Sequence, residues 1–393
     1  MKIQLLKRII FNNFPKKTNI LFYEFIPNNF IKIFIKFREH SFIFSNRKRE
    51  INFFIFLSIF FSYRSVKIIF IENLFTAYVV NFIKFSKAKI VINYHDNDYN
   101  FYRLKKYFDG VYFLSYQNGA RHIINDLFGN KNLTNRVDKK NFSADYIFTF
   151  NSVINQMYKK YIECRTISIG NIKNNIISLN YHSVKSKIIF ISQFRKEALD
   201  RENYESHDNK VCSTKKWFEA ERNLLPKLIN YCEKKNIDLY ILGTANSPNY
   251  VEKEKAYYRK ITQGKKWKYW NSHRDDFKKR YQFLDKFDVV ISIWSTLAYE
   301  LFARNKKVGF FRQNISFFKD RNFGWPAHFP KKGFWYTSYV TQSEVDRILN
   351  NLVCIKRNEW ISRICTFKNK IMQYDSNNNK LRNKIDYLLA KYD

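Results

Sequence analysis

The feature that most constrains this chain is an alternation of short apolar runs with amphipathic segments that breaks off near residues 176 to 186 and then starts again. In the first series, Asn19 to Phe25 (NILFYEF), Val66 to Ile71 (VKIIFI), Lys89 to Asn93 (KIVIN), Val111 to Ser115 (VYFLS) and Tyr146 to Phe150 (YIFTF) are brief, β-branched or aromatic, and bounded by polar residues. That pattern predicts buried strands. Between them, Phe75 to Lys84, Tyr99 to Phe108 and Ile154 to Tyr161 predict helices, giving the alternation of a parallel sheet. The second series has strands at Lys187 to Ser192, Asp238 to Leu242, Asp288 to Ile293 and Lys307 to Phe311, with helices at Thr214 to Lys235 and Ser295 to Asn305. In the first of these helices Trp217, Phe218, Ala220, Leu224, Leu225, Leu228, Ile229 and Cys232 share one face, and Pro226 is expected to kink it or open a new first turn. The fold expected is α/β, with two Rossmann-like domains, residues 1–180 and 181–393, facing a central cleft. The second domain is expected to include a terminal helix, started by Asp375 or Ser376 and docked by Leu381, Ile385, Leu388 and Leu389.

A length of 393 residues suits two domains, and 70 Lys plus Arg against 34 Asp plus Glu leaves a net charge of +36. Such a charge attracts polyanions. Only nine glycines stand beside abundant Phe, Ile, Asn and Lys, however, a composition that an AT-rich genome imposes on interchangeable surface positions. No helix-turn-helix, zinc-finger or aromatic RNA-binding motif accompanies the charge, so no nucleic-acid partner is expected. Five widely spaced cysteines without a CxxC pair imply a reducing compartment and no structural zinc. The N-terminal MKIQLLKRIIFNNFPKK is basic but lacks the unbroken apolar core of a signal peptide, and it is expected to adsorb to an anionic membrane surface. The most apolar stretch, Ile51 to Phe61 (INFFIFLSIFF), is far shorter than a spanning helix and is expected in the core.

The segment DVVISIWSTLAYELFARNKKVGFF orders a buried strand, Ser295 and Thr296 at a turn, a helix carrying Glu300, and another strand. Unpaired N–H groups and hydroxyls at a helix start favour a phosphate, and Glu300 one turn later suits ribose hydroxyls. The plainer reading makes Ser295 a cap and Glu300 a solvated acid. Ser192, Gln193 and Arg195 in FISQFR end a strand on the edge where open α/β sheets bind ligands, and Arg195 suits a phosphate clamp or a surface ion pair. Gly243 ends another strand, as close backbone approach to a ligand or as a plain turn. His273 in WNSHRDDF suits a nucleotide base or phosphate, or is merely exposed. In KIVINYHDND, His95, Asp96 and Asp98 follow a buried strand. Two such carboxylates offer a general base or a nucleophile, a DxD clamp for a divalent cation, or simply an Asx-rich turn. Gln117, Asn118 and Arg121 in SYQNGAR suit sugar hydroxyls or a turn, and Trp325, Phe334 and Trp335 suit sugar stacking or core packing.

Five blocks carry a resemblance: YHDNDYNFY at Tyr94 to Tyr102, SYQNGAR at Ser115 to Arg121, FISQFR at Phe190 to Arg195, STLAYELFARNKKVGFF at Ser295 to Phe311, and FGWPAHFPKKGFW at Phe323 to Trp335. In this order, over about two thirds of the chain, they resemble the family of surface-carbohydrate or O-antigen biosynthesis proteins that sits beside bacterial capsule and lipopolysaccharide transferases. The Ser/Thr-helix-acid segment is similar to the donor-nucleotide site of GT-B glycosyltransferases. Ala298 stands where the pattern tends to place Gly, and Asn305 replaces a Gly, a position where Asn can adopt the left-handed cap conformation. The resemblance implies a glycosyltransferase using a nucleotide sugar, with CMP-linked acidic sugars such as Kdo or a nonulosonic acid first among donors, and a surface glycan or lipid-linked acceptor. It implies donor contacts from Ser192, Gln193, Arg195, Ser295, Thr296 and Glu300 in the second domain, to which the residue chemistry above adds Gly243 and His273. It then leaves Asp96 and Asp98 as the acceptor-side catalytic carboxylates, one of them expected to carry the chemical step, with His95, Gln117, Asn118 and Arg121 binding the acceptor. No metal and no cofactor beyond the nucleotide sugar are expected, and the expected location is the inner face of the cytoplasmic membrane. A nucleotide-sugar 2-epimerase of the same architecture is the alternative.

Overall fold

The computed structural model describes residues 9–10, 14–26, 28–35, 38–44, 51–121, 126–129, 133, 141–178, 184–194, 203–205, 211–213, 218–245, 247–271, 276–312 and 323–391. Two compact units result: Met1–Arg121, Asp126–Ile172 and Asp375–Asp393 form the first, and His122–Asn125 with Lys173–Tyr374 the second.

Unit 1 runs β1 (Ile20–Glu24), α1 (Asn28–Ile35), β2 (His40–Phe44), α2 (Phe53–Ser58), α3 (Tyr63–Ile71), α4 (Leu74–Ser86), β3 (Ile90–Asn93), α5 (Tyr99–Tyr102), β4 (Tyr112–Tyr116), β5 (Ser143–Thr149), α6 (Ser152–Tyr161) and β6 (Glu163–Ser168). Its six-stranded sheet has the order β2-β1-β3-β4-β5-β6, and every neighbouring pair is parallel. Every residue of β1 and β3 is buried. Such strands read as unbroken apolar runs because both faces of a parallel sheet are covered. Asparagines set the helix starts: Asn73 Oδ1 accepts from Thr76 N at 2.9 Å before α4, and Asn151 Oδ1 accepts from Ile154 N at 2.8 Å before α6.

Unit 2 contains β7 (Val184–Ile191), α7 (Glu219–Lys234), β8 (Asp238–Gly243), α8 (Pro248–Ile261), β9 (Lys268–Asn271), α9 (Phe277–Asp285), β10 (Phe287–Ser292), α10 (Thr296–Ala303), β11 (Lys307–Phe311), β12 (Tyr336–Thr337), α11 (Gln342–Cys354) and α12 (Arg357–Ile371). Its sheet is again wholly parallel, in the order β9-β8-β7-β10-β11-β12. Counted within the unit this is 3-2-1-4-5-6, the doubly wound Rossmann order. Helix α7 continues through Pro226, and the apolar face expected of it is buried from Phe218 to Cys232. Trp217 lies outside the described residues. Asn305 takes φ 65°, the left-handed cap anticipated in place of a glycine.

Four expectations need correction. Val66 to Ile71 is the end of helix α3, not a strand: Ser62 Oγ accepts from Ser65 N to start a helix, and Ser65 and Ile68 are buried at helical spacing. Tyr99 to Phe108 is two pieces, α5 and a 3-10 turn at Lys105–Tyr107. Ile51 to Phe61 buries Ile55 and Ile59 but exposes Phe54, Leu57, Phe60 and Phe61, so only part of it is core. The terminal helix α13 (Asn379–Ala390) packs on unit 1 rather than on the second domain. Arg382 Nε donates to Ile33 O at 3.2 Å and Arg38 pairs with Asp386 at 2.7 Å, while Leu381, Ile385, Leu388 and Leu389 are buried as expected. Asp375 assists its start by accepting from Lys380 N at 3.0 Å, although the cap position itself is Asn378.

Candidate active site

In open α/β sheets ligands bind beyond the carboxyl ends of the strands, at the point where the strand order reverses. In unit 1 that point lies between β1 and β3. Strand β1 ends on Glu24 and β3 on Asn93, whose side chain builds a tight Asx turn: Asn93 Oδ1 accepts from His95 N at 2.9 Å and Asn93 Nδ2 donates to His95 O at 2.8 Å. The turn sets the His95 ring beside β1, with Nε2 3.4 Å from Glu24 Oε2. On the other side Nδ1 lies 2.8 Å from Asn118 Nδ2. Asn118 Oδ1 accepts from Arg121, so its amide nitrogen must face the ring; Nδ1 then accepts, and the ring proton sits on Nε2 towards Glu24. The His95 side chain is 40% exposed and Glu24 8%, so the imidazole is reachable while its carboxylate partner is shielded.

Asp96 takes a different position from the one its motif suggested. It is fully buried, and both oxygens are taken: Oδ1 accepts from Arg121 Nη2 at 2.6 Å and Asn118 N at 3.1 Å, and Oδ2 from Arg121 Nε at 2.6 Å and the Tyr158 hydroxyl. A carboxylate bound this way holds a guanidinium where a DxD clamp would hold a cation, and it has no lone pair turned to solvent. Arg121 is correspondingly buried, with a second partner in Asp126 at 3.1 Å, so it is not a free sugar contact. Asp98 accepts from Asn100 N at 3.0 Å and caps α5. Burial pushes its carboxyl up, opposed by hydrogen bonds from Asn100 and Tyr23. Gln117 is buried and bridges backbone, accepting from Phe150 N at 2.8 Å and donating to Gly119 O at 3.0 Å. Of the acceptor-side candidates, His95 and Asn118 are the ones brought together at the reversal point. Glu24 escaped the sequence reading; its signal was a lone acid closing an otherwise apolar strand.

In unit 2 the order reverses between β7 and β10, which brings Ser192 and Gln193 to one side and Ser295 and Thr296 to the other. Ser292 Oγ accepts from Ser295 N at 3.1 Å and shapes the turn into α10. The Ser295 side chain makes no capping bond, and Ser295 and Thr296 are half-buried. Ser192 is turned inward: its hydroxyl donates to Glu254 at 2.5 Å and accepts from Tyr258 at 2.6 Å. Gln193 leaves its side chain half-buried, while its N–H donates to Glu221 at 3.2 Å. Gly243 is required by Tyr269 rather than by a ligand, since an added Cβ would meet that ring's oxygen at 1.9 Å. Glu300 is turned inward and not solvated: it is buried, accepts from the Tyr281 hydroxyl, and burial pushes its carboxyl up. Arg195 and His273 lie outside the described residues. Phe334 and Trp335 divide: Trp335 is buried, ringed by Phe302, Trp360 and Phe367, whereas Phe334 stacks under Arg363. A cavity of about 700 Å³ lined by Lys255, Arg259 and Lys266 lies beside Asp238 and Lys268, the first residues of β8 and β9, and so away from the ligand-binding edge.

Behind that edge Glu221 and Glu254 are buried together, joined through Tyr258 and Ser192. Burial raises the Glu221 carboxyl from 4.5 to about 7, against the pull of the Tyr258 hydrogen bond. A raised folded-state pKa means a stabilising contribution that is complete below about 4.5 and lost as pH rises through about 7. The loss amounts to about 3 kcal/mol at roughly 1.4 kcal/mol per unit. Glu221→Gln is therefore expected to flatten the fall in stability between about pH 5 and about pH 8. Urea unfolding across that range is the check, and parallel profiles for the two proteins would refute the assignment.

Two doubly wound parallel sheets in one chain, each with a candidate site at its reversal point, define the GT-B-like class of α/β proteins. Within that class, residues 114–390 match the family described as putative O-antigen biosynthesis protein, and the chain belongs to it. No curated protein sequence matches the chain. Among solved structures, the wall teichoic acid polymerase TagF is 10% identical with a TM-score of 0.50, over 95% of this chain and 89% of that one. A protein solved as a putative UDP-N-acetylglucosamine 2-epimerase from Listeria monocytogenes is 13% identical with a TM-score of 0.53, over 95% and 96%. S. aureus MnaA, solved with UDP, is 14% identical with a TM-score of 0.50, over 95% and 97%. These likenesses establish the fold.

Proposed function

We propose that this protein is a glycosyltransferase of O-antigen assembly, moving a sugar from a nucleotide-activated donor to a hydroxyl of a growing surface glycan or lipid-linked acceptor. The observation that carries the reading is the reachable His95 held between Glu24 and Asn118 at the reversal point of unit 1. An acceptor hydroxyl takes the place of the Asn118 amide and gives its proton to Nδ1, and the shielded Glu24 stabilises the imidazolium that forms. The new C–O bond forms as the bond to the nucleotide phosphate breaks, leaving the electron pair on that phosphate. In unit 2 the start of α10, with Ser295 and Thr296, is the place to receive that negative charge. The ion pair of Asp96 with Arg121 supports a reaction without a divalent metal at that motif. A CMP-linked acidic sugar is the first donor to test. Work at the inner face of the cytoplasmic membrane follows from a lipid-linked acceptor, and no nucleic-acid partner is part of this reading.

The second reading is a nucleotide-sugar 2-epimerase, supported by the likeness to two proteins whose structures are described by epimerase activity or bound UDP. Purified protein given a panel of nucleotide sugars, with and without glycan acceptors, separates the two. Nucleotide release that requires an acceptor is expected. Formation of a 2-epimer without acceptor would overturn the transferase.

Ser295→Ala with Thr296→Ala is expected to weaken nucleotide binding by on the order of 2 to 4 kcal/mol, since bonds to charged oxygens contribute roughly 1.5 to 3 each with some non-additivity. Ser295 makes no capping bond, so its own hydroxyl contributes little to the fold, and the melting midpoint of the double variant reads any structural share of Thr296. Calorimetric titration reads it, and an unchanged affinity removes the site.

A further inference from the structure

Among the described residues, fourteen large apolar side chains are strongly exposed, and twelve of them fall between Phe14 and Phe85 of unit 1. The concentration calls for a partner, because scattered single exposures are the norm on a monomer. Its most exposed members are Phe61 at 88%, Tyr63 at 85% and Phe70 at 85%. They belong to the turn before α3 and to α3 itself. On that helix Ser65 and Ile68 face inward, whereas Tyr63, Lys67, Phe70 and Ile71 are exposed at i, i+4, i+7 and i+8. The outward side of α3 thus presents Tyr63, Phe70 and Ile71 beside the cations Arg64 and Lys67, the reverse of a helix that uses its apolar side for the core.

Charge narrows the partner. Residues 51–94 contain Arg64, Lys67, Lys84, Lys87 and Lys89 but a single acid, Glu72. The Glu72 side chain is 2% exposed and taken by Arg103 and by Lys106 at 2.5 Å. Arg64, Lys67, Lys84 and Lys87 are exposed, so residues 51–94 present aromatic rings and cations with no open carboxylate of their own. Two copies of such a face would repel one another. An anionic bilayer meets both properties, with rings at the headgroup boundary and ammonium groups among the phosphates. Helix α3 has 9 residues, about 14 Å at roughly 1.5 Å per residue, against a hydrocarbon core of about 30 Å, so the helix lies in the interface. No described helix is long and apolar enough to cross a membrane.

We propose that the α2–α4 face of unit 1 docks on anionic bilayers by inserting Phe61, Tyr63 and Phe70 into the interface. This adds an apolar, salt-resistant contact to the adsorption expected of the basic residues 1–17, most of which lie outside the described residues. It rests on the proposed function only for why a membrane matters. Flotation reads binding and not transfer, so vesicle binding without sugar transfer would refute the transferase and leave this inference standing, and the converse holds.

The test is flotation of the full chain with phosphatidylglycerol/phosphatidylcholine vesicles and with phosphatidylcholine alone, in low and high salt. The wild type is expected to float with anionic vesicles and to retain part of its binding in high salt. Phe61→Ser with Phe70→Ser should lower partitioning roughly 30- to 100-fold, because two rings return to water on the docked side. Lys67→Gln with Lys84→Gln should lower only the salt-sensitive part and leave the salt-resistant part unchanged. Phe61→Trp with Phe70→Trp should keep or strengthen binding, which separates insertion from misfolding. Unchanged partitioning of the Ser variant, loss in the Trp variant, or a concentration-dependent dimer abolished by the Ser changes in place of vesicle binding would each overturn the proposal.

Discussion

His95→Ala lowers turnover by roughly 10² to 10⁴ while nucleotide affinity in unit 2 stays unchanged, the expected signature of losing a general base that touches only the acceptor. Its basis is local. The ring is held from both sides, by Glu24 at 3.4 Å and Asn118 at 2.8 Å, on a turn fixed by Asn93, so its orientation is set and a hydroxyl meets Nδ1 once it displaces the Asn118 amide. Glu24→Gln should lower turnover in the same direction, because a neutral amide no longer stabilises the imidazolium. Asp98→Asn serves as the contrast: Asp98 caps α5 and an asparagine caps about as well, so stability should change little and transfer should be retained. Steady-state rates with saturating donor and acceptor decide the matter. Wild-type turnover in His95→Ala would remove the base, and loss in Asp98→Asn with recovery on added Mn²⁺ would return the carboxylates to a metal-binding role.

The strands that pair in the interior were readable because a parallel sheet covered on both faces demands short unbroken apolar runs, as KIIFIS and DVVISI show. VKIIFI has the same composition and is helix, since the capping serine at 62 and the inward spacing of Ser65 and Ile68 outweigh β-branched content over six residues. The terminal helix was legible as a helix, through Leu381, Ile385, Leu388 and Leu389, but an apolar stripe does not say which domain it covers. The site was legible to the level of segment. YHDND and SYQNGAR do converge, yet the roles inside them were exchanged: the acids that looked reactive are spent on Arg121 and on a cap, while the histidine beside them remains reachable. Spacing cannot reveal that exchange, because it depends on Arg121 and Tyr158 arriving from elsewhere in the fold. Glu300 repeats the lesson, since Tyr281 from the preceding helix draws it inward.

Asp96→Asn is expected to cost about 3 to 5 kcal/mol of stability in unit 1, the usual penalty for breaking a buried ion pair and leaving one charge without its partner. Asn keeps the shape and can still accept from Asn118 N and Tyr158, but Arg121 would remain buried with only Asp126 to balance it. At roughly 2 to 4 °C per kcal/mol for a unit of this size, the melting midpoint should fall by about 10 °C. Arg121→Met alone should be damaging for the mirror reason, an uncompensated carboxylate. Asp96→Leu combined with Arg121→Met should recover part of the loss, as apolar replacements of buried pairs commonly do. Turnover measured well below the lowered midpoint separates the two roles that the motif allows. A positioning residue sets Asn118 and His95 in place, so Asp96→Asn should weaken turnover together with the midpoint, and the double variant should regain stability without regaining the full rate. If Asp96→Asn melts with the wild type and yet loses all transfer, the carboxylate acts on the substrate itself, and the assignment of the base to His95 fails with it.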